Sequence, residues 1–247
     1  MDVGTDHGPW TKDGPRTQNE GPRTVIIRVM RRVFVDPGSP QRDAIQEAAE
    51  WILNGGVVAL PTDTLYGLAA DPFSAAAVAR VFAVKGRAAE QALPLIAADA
   101  AQVTMHLGGL TATGQRLADR FWPGPLTLLV NAPRALAREV SGGTGKVGVR
   151  VPADAIARAI CAEAGRPVTA TSANVSGEPA TADPEVVERT LGGRIDLLID
   201  AGPTAGGAPS TIVDVTAAEP LLVRAGALSW DDIQAWLHSA QAHPPAR

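Results

Sequence analysis

The chain has 247 residues, a formal net charge of −4 and a single cysteine, Cys161. Nonspecific binders of polyanions usually carry a basic excess, so this net charge argues against that class. One cysteine also excludes an intrachain disulfide framework and a cysteine metal site. No apolar run has the length that crosses a bilayer, so we expect a cytoplasmic protein without a membrane-inserted segment.

The first part of the chain divides into a tail and a strand. Residues 1–22 combine Gly, Pro and polar residues without an apolar period, and they cannot bury enough surface to become ordered. We therefore predict a flexible tail. The β-branched stretch 25–35 predicts a strand that is interrupted by arginines. Its Arg28, Arg31 and Arg32 could contact RNA, but charges that protect an exposed edge strand are the commoner explanation.

End signals predict the first two helices. Ser39 is the expected N-cap of the first, with Pro40 at its first position. Ser74 is the expected N-cap of the second, which Gly86 should end.

Strands and helices then alternate without a linker. This alternation predicts one α/β domain over residues 23–240, followed by a frayed C-terminus at 241–247.

The stretch PTDTLYGL, residues 61–68, follows a short buried strand and concentrates polar groups. Two threonine hydroxyls, a carboxylate and a phenol occur within five positions, and Gly67 lets a ligand approach the backbone closely. Ligands of open α/β sheets bind at the carboxyl ends of strands. The alternative is an ordinary turn whose Thr and Asp side chains bond their own backbone.

Further polar side chains recur at or near the ends of later predicted strands. Hydroxyls and an amide would suit a small zwitterion, and arginine would suit carboxylate and phosphate groups. For each residue the alternative is a capped turn or a surface cation. The four histidines lie in the tail, in one helix and near the C-terminus, so a serine or cysteine triad lacks a base. The set comprises Lys85, Arg87, Arg150, Ser172, Asn174, Ser210 and Arg224.

Seven motifs in register resemble a known family. PTDTLYGL, KGR, FWPGPLTL, VGVRVP, TSANVSG, STIVD and VRAG occur in that order and resemble the YrdC-type threonylcarbamoyl-AMP synthases in their single-domain form. The resemblance covers about residues 40–230. It implies an α/β fold, a single YrdC-like domain with a twisted mixed sheet flanked by helices and an open cavity. The implied reaction converts L-threonine, bicarbonate and ATP to threonylcarbamoyl-AMP and pyrophosphate, for the N6-threonylcarbamoyladenosine (t6A) modification of tRNA.

The resemblance also implies site residues, motif by motif. The resemblance implies that Mg2+ accompanies ATP and that the protein builds no metal site of its own. It also implies t6A-transfer proteins as partners, and direct contact with tRNA stays open. Charge stabilisation in catalysis is implied for Lys85, Arg87 and Arg224. The implied L-threonine site comprises Thr62, Thr64, Tyr66, Arg150, Ser172 and Ser210. The implied ATP site comprises Lys85, Arg87, Lys146, Asn174, Thr181 and Arg224.

The sequence departs from the family pattern at several positions. Ala88 follows the KGR motif where proline is usual, and Lys146 stands where threonine is frequent. Ala97 and Ala98 occupy the place of a histidine or serine, so the threonine contact made there is not carried over.

Two other functions share parts of this pattern. A carbamoyl-adenylate domain of hydrogenase maturation would bring cysteine-rich zinc fingers, for which the cysteines are missing. A YrdC-like RNA-binding or ribosome-associated module without synthase activity is the second alternative. Binding to an RNA backbone would not need the hydroxyl and amide set, whereas a steep loss of RNA affinity with salt and no nucleotide turnover would favour that module.

Overall fold

The computed structural model describes residues 30–86 and 91–242. The predicted tail at 1–22 lies outside these ranges. Of the predicted frayed end at 241–247, the first two residues are described, and they form the end of a helix. The domain bounds 23–240 stay a prediction.

Within the described residues the chain forms eleven strands and seven α-helices, and none of these helices combines the length and apolar character needed to cross a membrane. The strands are β1 (Arg31–Phe34), β2 (Val58–Leu60), β3 (Gly67–Ala69), β4 (Leu95–Ile96), β5 (Leu126–Asn131), β6 (Lys146–Arg150), β7 (Val168–Thr169), β8 (Thr171–Ser172), β9 (Leu197–Asp200), β10 (Thr211–Asp214) and β11 (Leu221–Arg224). The α-helices are α1 (Arg42–Leu53), α2 (Ala75–Lys85), α3 (Ala100–Leu107), α4 (Ala112–Phe121), α5 (Ala155–Glu163), α6 (Pro184–Leu191) and α7 (Trp230–Ala242); a 3-10 helix spans Arg138–Ser141.

The strands build two mixed sheets, which confirms the predicted mixed α/β architecture with flanking helices. The five-stranded sheet has the order β1-β9-β2-β3-β8, in which β9 is parallel to both of its neighbours. The six-stranded sheet has the order β11-β10-β5-β6-β4-β7 and mixes parallel and antiparallel pairs. Every residue of β2 and β9 is buried, because these central strands are covered on both faces.

Helix ends follow one prediction and depart from the other. Ser74 caps α2, since its side chain accepts a hydrogen bond from the amide of Ala77, and Gly86 ends that helix with a φ of 59°. The prediction for α1 was wrong: Gln41 occupies the N-cap position without a side-chain bond. The amide of Ser39 instead bonds the Asp36 carbonyl in a turn that precedes the helix.

Strand β1 is an edge strand, and its arginines are engaged in ion pairs. Arg31 pairs with Glu47, while Arg32 pairs with Asp200 and with two glutamates of α6. This favours the interpretation of a charged edge over an RNA contact. Arg28 lies outside the described residues.

The two sheets are joined where β7 passes into β8, with Ala170 between them. Thr169 is fully buried there, and its hydroxyl donates to the Leu68 carbonyl at 3.2 Å. The same hydroxyl oxygen accepts the amide of Ala70 at 2.9 Å. One side chain therefore ties the end of the six-stranded sheet to β3 of the other sheet.

We expect Thr169→Val to lower the free energy of unfolding by about 1–3 kcal/mol, because valine keeps the shape but leaves buried backbone groups without this partner. Urea unfolding measures the change. Thr104→Val on an exposed face of α3 is the matched control, and an equal loss in both variants would contradict the role given to Thr169.

Candidate functional site

A cavity of about 590 Å³ opens where the two sheets meet. One wall is the loop between β2 and β3, together with β8. The floor is one face of the six-stranded sheet, to which Thr127 and Leu129 of β5 and Gly148 and Arg150 of β6 contribute. Alternate residues of a strand share a face, which explains this spacing of two. A Cβ added at Gly148 would lie 3.0 Å from the Thr127 methyl group, so only glycine fits at this position of the cavity floor without a shift of its neighbour.

The cavity gathers residues that are far apart in the sequence. The six residues predicted for the threonine site line it together with Arg224 of the predicted ATP site. They come from separate loops and strands of both sheets, so the tertiary fold brings them together. Their roles stay predictions. The set is Thr62, Thr64, Tyr66, Arg150, Ser172, Ser210 and Arg224.

The loop between β2 and β3 is held by its own hydroxyls. Thr62 Oγ1 donates to the Leu65 carbonyl at 2.7 Å and accepts the amide of Thr64 at 3.2 Å. The two threonine hydroxyl oxygens are 3.2 Å apart. The hydrogen bonds expected for an ordinary turn, in which side chains bond their own backbone, are therefore present. The same threonine side chains also line the cavity.

Tyr66 forms a wall of the cavity. It is fully buried, and its hydroxyl donates to the Gly202 carbonyl at 2.8 Å and accepts the amide of Ala201 at 3.2 Å. Burial raises the pKa of this phenol well above its ordinary value. Because both bonds are made to backbone, Tyr66 braces the loop that follows β9.

Arg150 is fixed by a carboxylate that sequence analysis did not assign to the site. Its Nη1 lies 2.5 Å from Asp63 Oδ1, and the two side chains are 9% and 13% exposed. Burial and, to a smaller extent, the charge of Asp63 raise the pKa of Asp154. The signal for Asp63 was its place inside the PTDTLYGL stretch, but spacing could not show which cation it meets.

Arg224 faces the same cavity without a carboxylate partner among the described residues. Its Nη2 donates to the carbonyl of Ser210 at 2.7 Å and to Ser210 Oγ at 3.3 Å. Burial, and then the charge of Arg150, lower the pKa of its guanidinium. Two cations therefore share the cavity, and Asp63 balances one of them.

Thr127 is a second site residue that sequence analysis missed. It is buried in the floor, and its hydroxyl oxygen lies 2.7 Å from Ser210 Oγ. The available signal was a lone hydroxyl in the apolar strand β5 of the FWPGPLTL motif.

Lys85 and Asn174 of the predicted ATP site hold the loop after β8. The buried Lys85 Nζ donates to the carbonyls of Ser172 and Asn174 at 2.6 and 3.0 Å and to Asn174 Oδ1 at 3.2 Å. Asn174 Nδ2 donates in turn to the Glu178 carbonyl at 2.6 Å. Both side chains thus support Ser172 from behind the cavity.

The remaining predicted ATP residues lie apart from the cavity lining or outside the described chain. Lys146 Nζ lies 2.6 Å from Asp214 Oδ2. Burial raises the pKa of Asp214, but hydrogen bonds from Lys146 and Thr216 outweigh it and hold this pKa below its ordinary value. Thr181 Oγ1 accepts the amide of Asp183. Arg87 is not among the described residues.

A cavity with two arginines and several hydroxyls in its lining, set between two mixed sheets, has the chemistry that suits a small anionic or zwitterionic ligand. The model of the Sua5/YciO/YrdC family, described as telomere recombination, matches residues 50–226. The chain belongs to this family.

Curated relatives resemble the chain over most of its length. The threonylcarbamoyl-AMP synthase of Pyrococcus abyssi is 36% identical and aligns with 90% of this chain and 63% of its own. For the enzyme of Bacillus subtilis these values are 36%, 83% and 60%. For that of Halorhodospira halophila they are 41%, 63% and 81%. The chain thus spans about three fifths of the first two relatives.

Solved structures show the same fold. The crystal structure of P. abyssi Sua5 complexed with L-threonine has a TM-score of 0.77 and 36% identity, with 84% of this chain and 60% of that chain covered. Escherichia coli YciO has a TM-score of 0.73 and 26% identity, with 81% and 97% covered.

We expect Asp63→Ala to lower the free energy of unfolding by about 3–5 kcal/mol, because it leaves Arg150 buried without its counter-charge. Chemical denaturation measures the loss. Asp119→Ala removes an exposed carboxylate on α4 and is expected to cost less than about 0.5 kcal/mol. A stability of Asp63→Ala equal to that of this control would show that the pair is not a structural constraint.

Proposed function

We propose that this protein is an L-threonylcarbamoyladenylate synthase, a nucleotidyltransferase that makes threonylcarbamoyl-AMP and pyrophosphate from L-threonine, bicarbonate and ATP. The observation that carries the proposal is the cavity, which is lined by the six residues predicted for the L-threonine site and by Arg224. The names of the curated relatives and the L-threonine in the P. abyssi Sua5 structure support it.

The amino acid would lie against the part of the cavity that contains Arg150. A guanidinium held by Asp63 offers its remaining donors to an α-carboxylate. The loop between β2 and β3, here named the threonine loop, contributes the hydroxyls of Thr62 and Thr64. These hydroxyls and those of Ser172 and Ser210 suit the ammonium and hydroxyl groups of L-threonine.

The triphosphate would meet Arg224, whose described bonds go to the neutral Ser210. Lys85 and Asn174 stay in the proposed ATP site, and in this structure they order the loop that presents Ser172. Arg87, Lys146 and Thr181 complete the proposed set by family resemblance. Charge stabilisation is proposed for Lys85, Arg87 and Arg224.

The proposed chemistry does not need a strong protein base. Bicarbonate gives carbon dioxide and hydroxide. The threonine amine attacks the carbon dioxide to form a carbamate, and the proton that the amine loses combines with the hydroxide to form water. A carbamate oxygen then attacks the α-phosphorus of ATP, the bond to the bridging oxygen breaks, and pyrophosphate leaves. Positioning of the reactants and neutralisation of phosphate charge are the main contributions that such a transfer asks of a protein.

Mg2+ would come with the triphosphate. Across the described residues no group of three or more His, Cys, Asp or Glu side chains could hold a metal ion. Mg2+ would be coordinated by phosphate oxygens and waters, as is usual for this hard cation. We further propose that the product passes to t6A-transfer proteins and tRNA in the cytoplasm.

Pyrophosphate release by the purified protein with ATP, Mg2+ and bicarbonate, with and without L-threonine, tests the proposal. We expect release that requires both bicarbonate and L-threonine. Release that is indifferent to L-threonine would point to another amine substrate. No release, together with salt-sensitive RNA binding, would favour the RNA-binding module instead.

Arg224→Ala is expected to lower kcat by about a hundredfold or more, because it removes a charge that stabilises the transferring phosphate. Arg224→Lys should recover part of this loss, since lysine keeps the charge but not the fork. Steady-state pyrophosphate release measures both variants. Arg189→Ala on an exposed face of α6 is the control, and full activity of Arg224→Ala would remove Arg224 from the phosphate site.

A further inference from the structure

We infer that Thr127 is a positioning residue for the amino-acid half of the cavity, and that it acts by holding the hydroxyl of Ser210. This inference rests on the proposed function. It deepens that function by separating the support of the amino acid from the support of the phosphates.

Thr127 is placed to act on one neighbour. It is 4% exposed, lines the cavity, and has Ser210 Oγ as its hydrogen-bond partner within the described chain, at 2.7 Å. The flanking Leu126 and Leu128 are fully buried on the opposite face of β5. A hydroxyl in such an apolar strand needs a partner, and here the partner is a residue of the proposed threonine site.

The backbone of Ser210 does not depend on Thr127. On one side of it the Pro209 carbonyl accepts the amide of Ala227 at 2.9 Å, and on the other side the amide of Thr211 donates to Pro125 at 3.0 Å. Loss of the Thr127 hydroxyl would therefore leave the Ser210 backbone in place. The Ser210 side chain, however, would be free to rotate among its staggered rotamers.

Ser210 also contacts the cation proposed for the phosphates. Arg224 Nη2 donates to the Ser210 carbonyl at 2.7 Å and more weakly to its hydroxyl at 3.3 Å. When Arg224 turns to a triphosphate, the weaker bond is the first to be given up. Thr127 then remains as the group that orients the Ser210 hydroxyl toward the amino acid.

The test compares Thr127→Val with Thr127→Ser in the pyrophosphate assay, with KM measured separately for L-threonine and ATP. In Thr127→Val we expect the KM for L-threonine to rise about three- to tenfold, the loss that one neutral hydrogen bond gives. The KM for ATP should stay at the wild-type value. Thr127→Ser keeps the hydroxyl and should restore most of the affinity.

A double-mutant cycle with Ser210→Ala decides whether Thr127 acts through Ser210. If it does, Thr127→Val adds no further rise in the KM for L-threonine when Ser210 is already alanine. An additive rise would overturn the inference, because it would mean that Thr127 contacts the substrate directly. Thr190→Val on α6 is the control for removal of a hydroxyl elsewhere, and it should behave as wild type.

Two more outcomes would overturn the inference. One is an unchanged KM for L-threonine in a folded Thr127→Val protein, as judged by its thermal unfolding. The other is an equal rise of both KM values, which would indicate a distorted cavity. A wild-type protein without threonine-dependent release would instead contradict the proposed function itself, so the two failures are distinguishable.

Discussion

The ion pair between Asp63 and Arg150 is the constraint on which the cavity depends. Asp63 lies in a loop of the five-stranded sheet, and Arg150 ends a strand of the six-stranded sheet, so the pair spans the junction of the two. Burial of both groups costs desolvation, which close contact must offset. A misplaced loop would leave two uncompensated charges in the interior. The pair therefore favours one relative placement of the sheets and one position of the threonine loop.

The same pair sets the electrostatics of the cavity. Arg150 and Arg224 face each other closely enough that the charge of one lowers the pKa of the other. Asp63 offsets part of this repulsion, and Arg224 keeps its charge for an incoming anion. Binding of a polyanion would relieve the remaining repulsion. The hydrogen bonds from Arg224 to Ser210 hold its guanidinium at the cavity despite the charge of Arg150.

Sequence motifs predicted the α/β architecture and seven of the residues that line the cavity, because these motifs lie at strand ends that the fold brings together. They did not predict individual partners. Asp63 is one of several polar groups in its motif, and nothing in its spacing indicates that it pairs with Arg150. The place of Lys85 at the phosphates stays a prediction. Its spacing did not indicate that its ammonium bonds the loop after β8, because long-range packing decides what a buried lysine contacts. Ser39 was predicted to cap α1, but it lies in a turn before the helix, in which its amide bonds the Asp36 carbonyl.

The order of strands in the five-stranded sheet bears on how the chain folds during synthesis. Strands β1 and β2 are made early, but β9 lies between them, so the sheet cannot close until the ribosome has passed Asp200. Pairings of such high sequence separation form slowly. The threonine loop forms hydrogen bonds with Gly202, through the Tyr66 hydroxyl, and with the amide of Gly206, through the Thr64 carbonyl. Both glycines are made after Asp200. The nascent chain therefore carries unpaired edges of β1 and β2 until β9 has been made, and a chaperone that shields such edges would affect its yield more than its final stability.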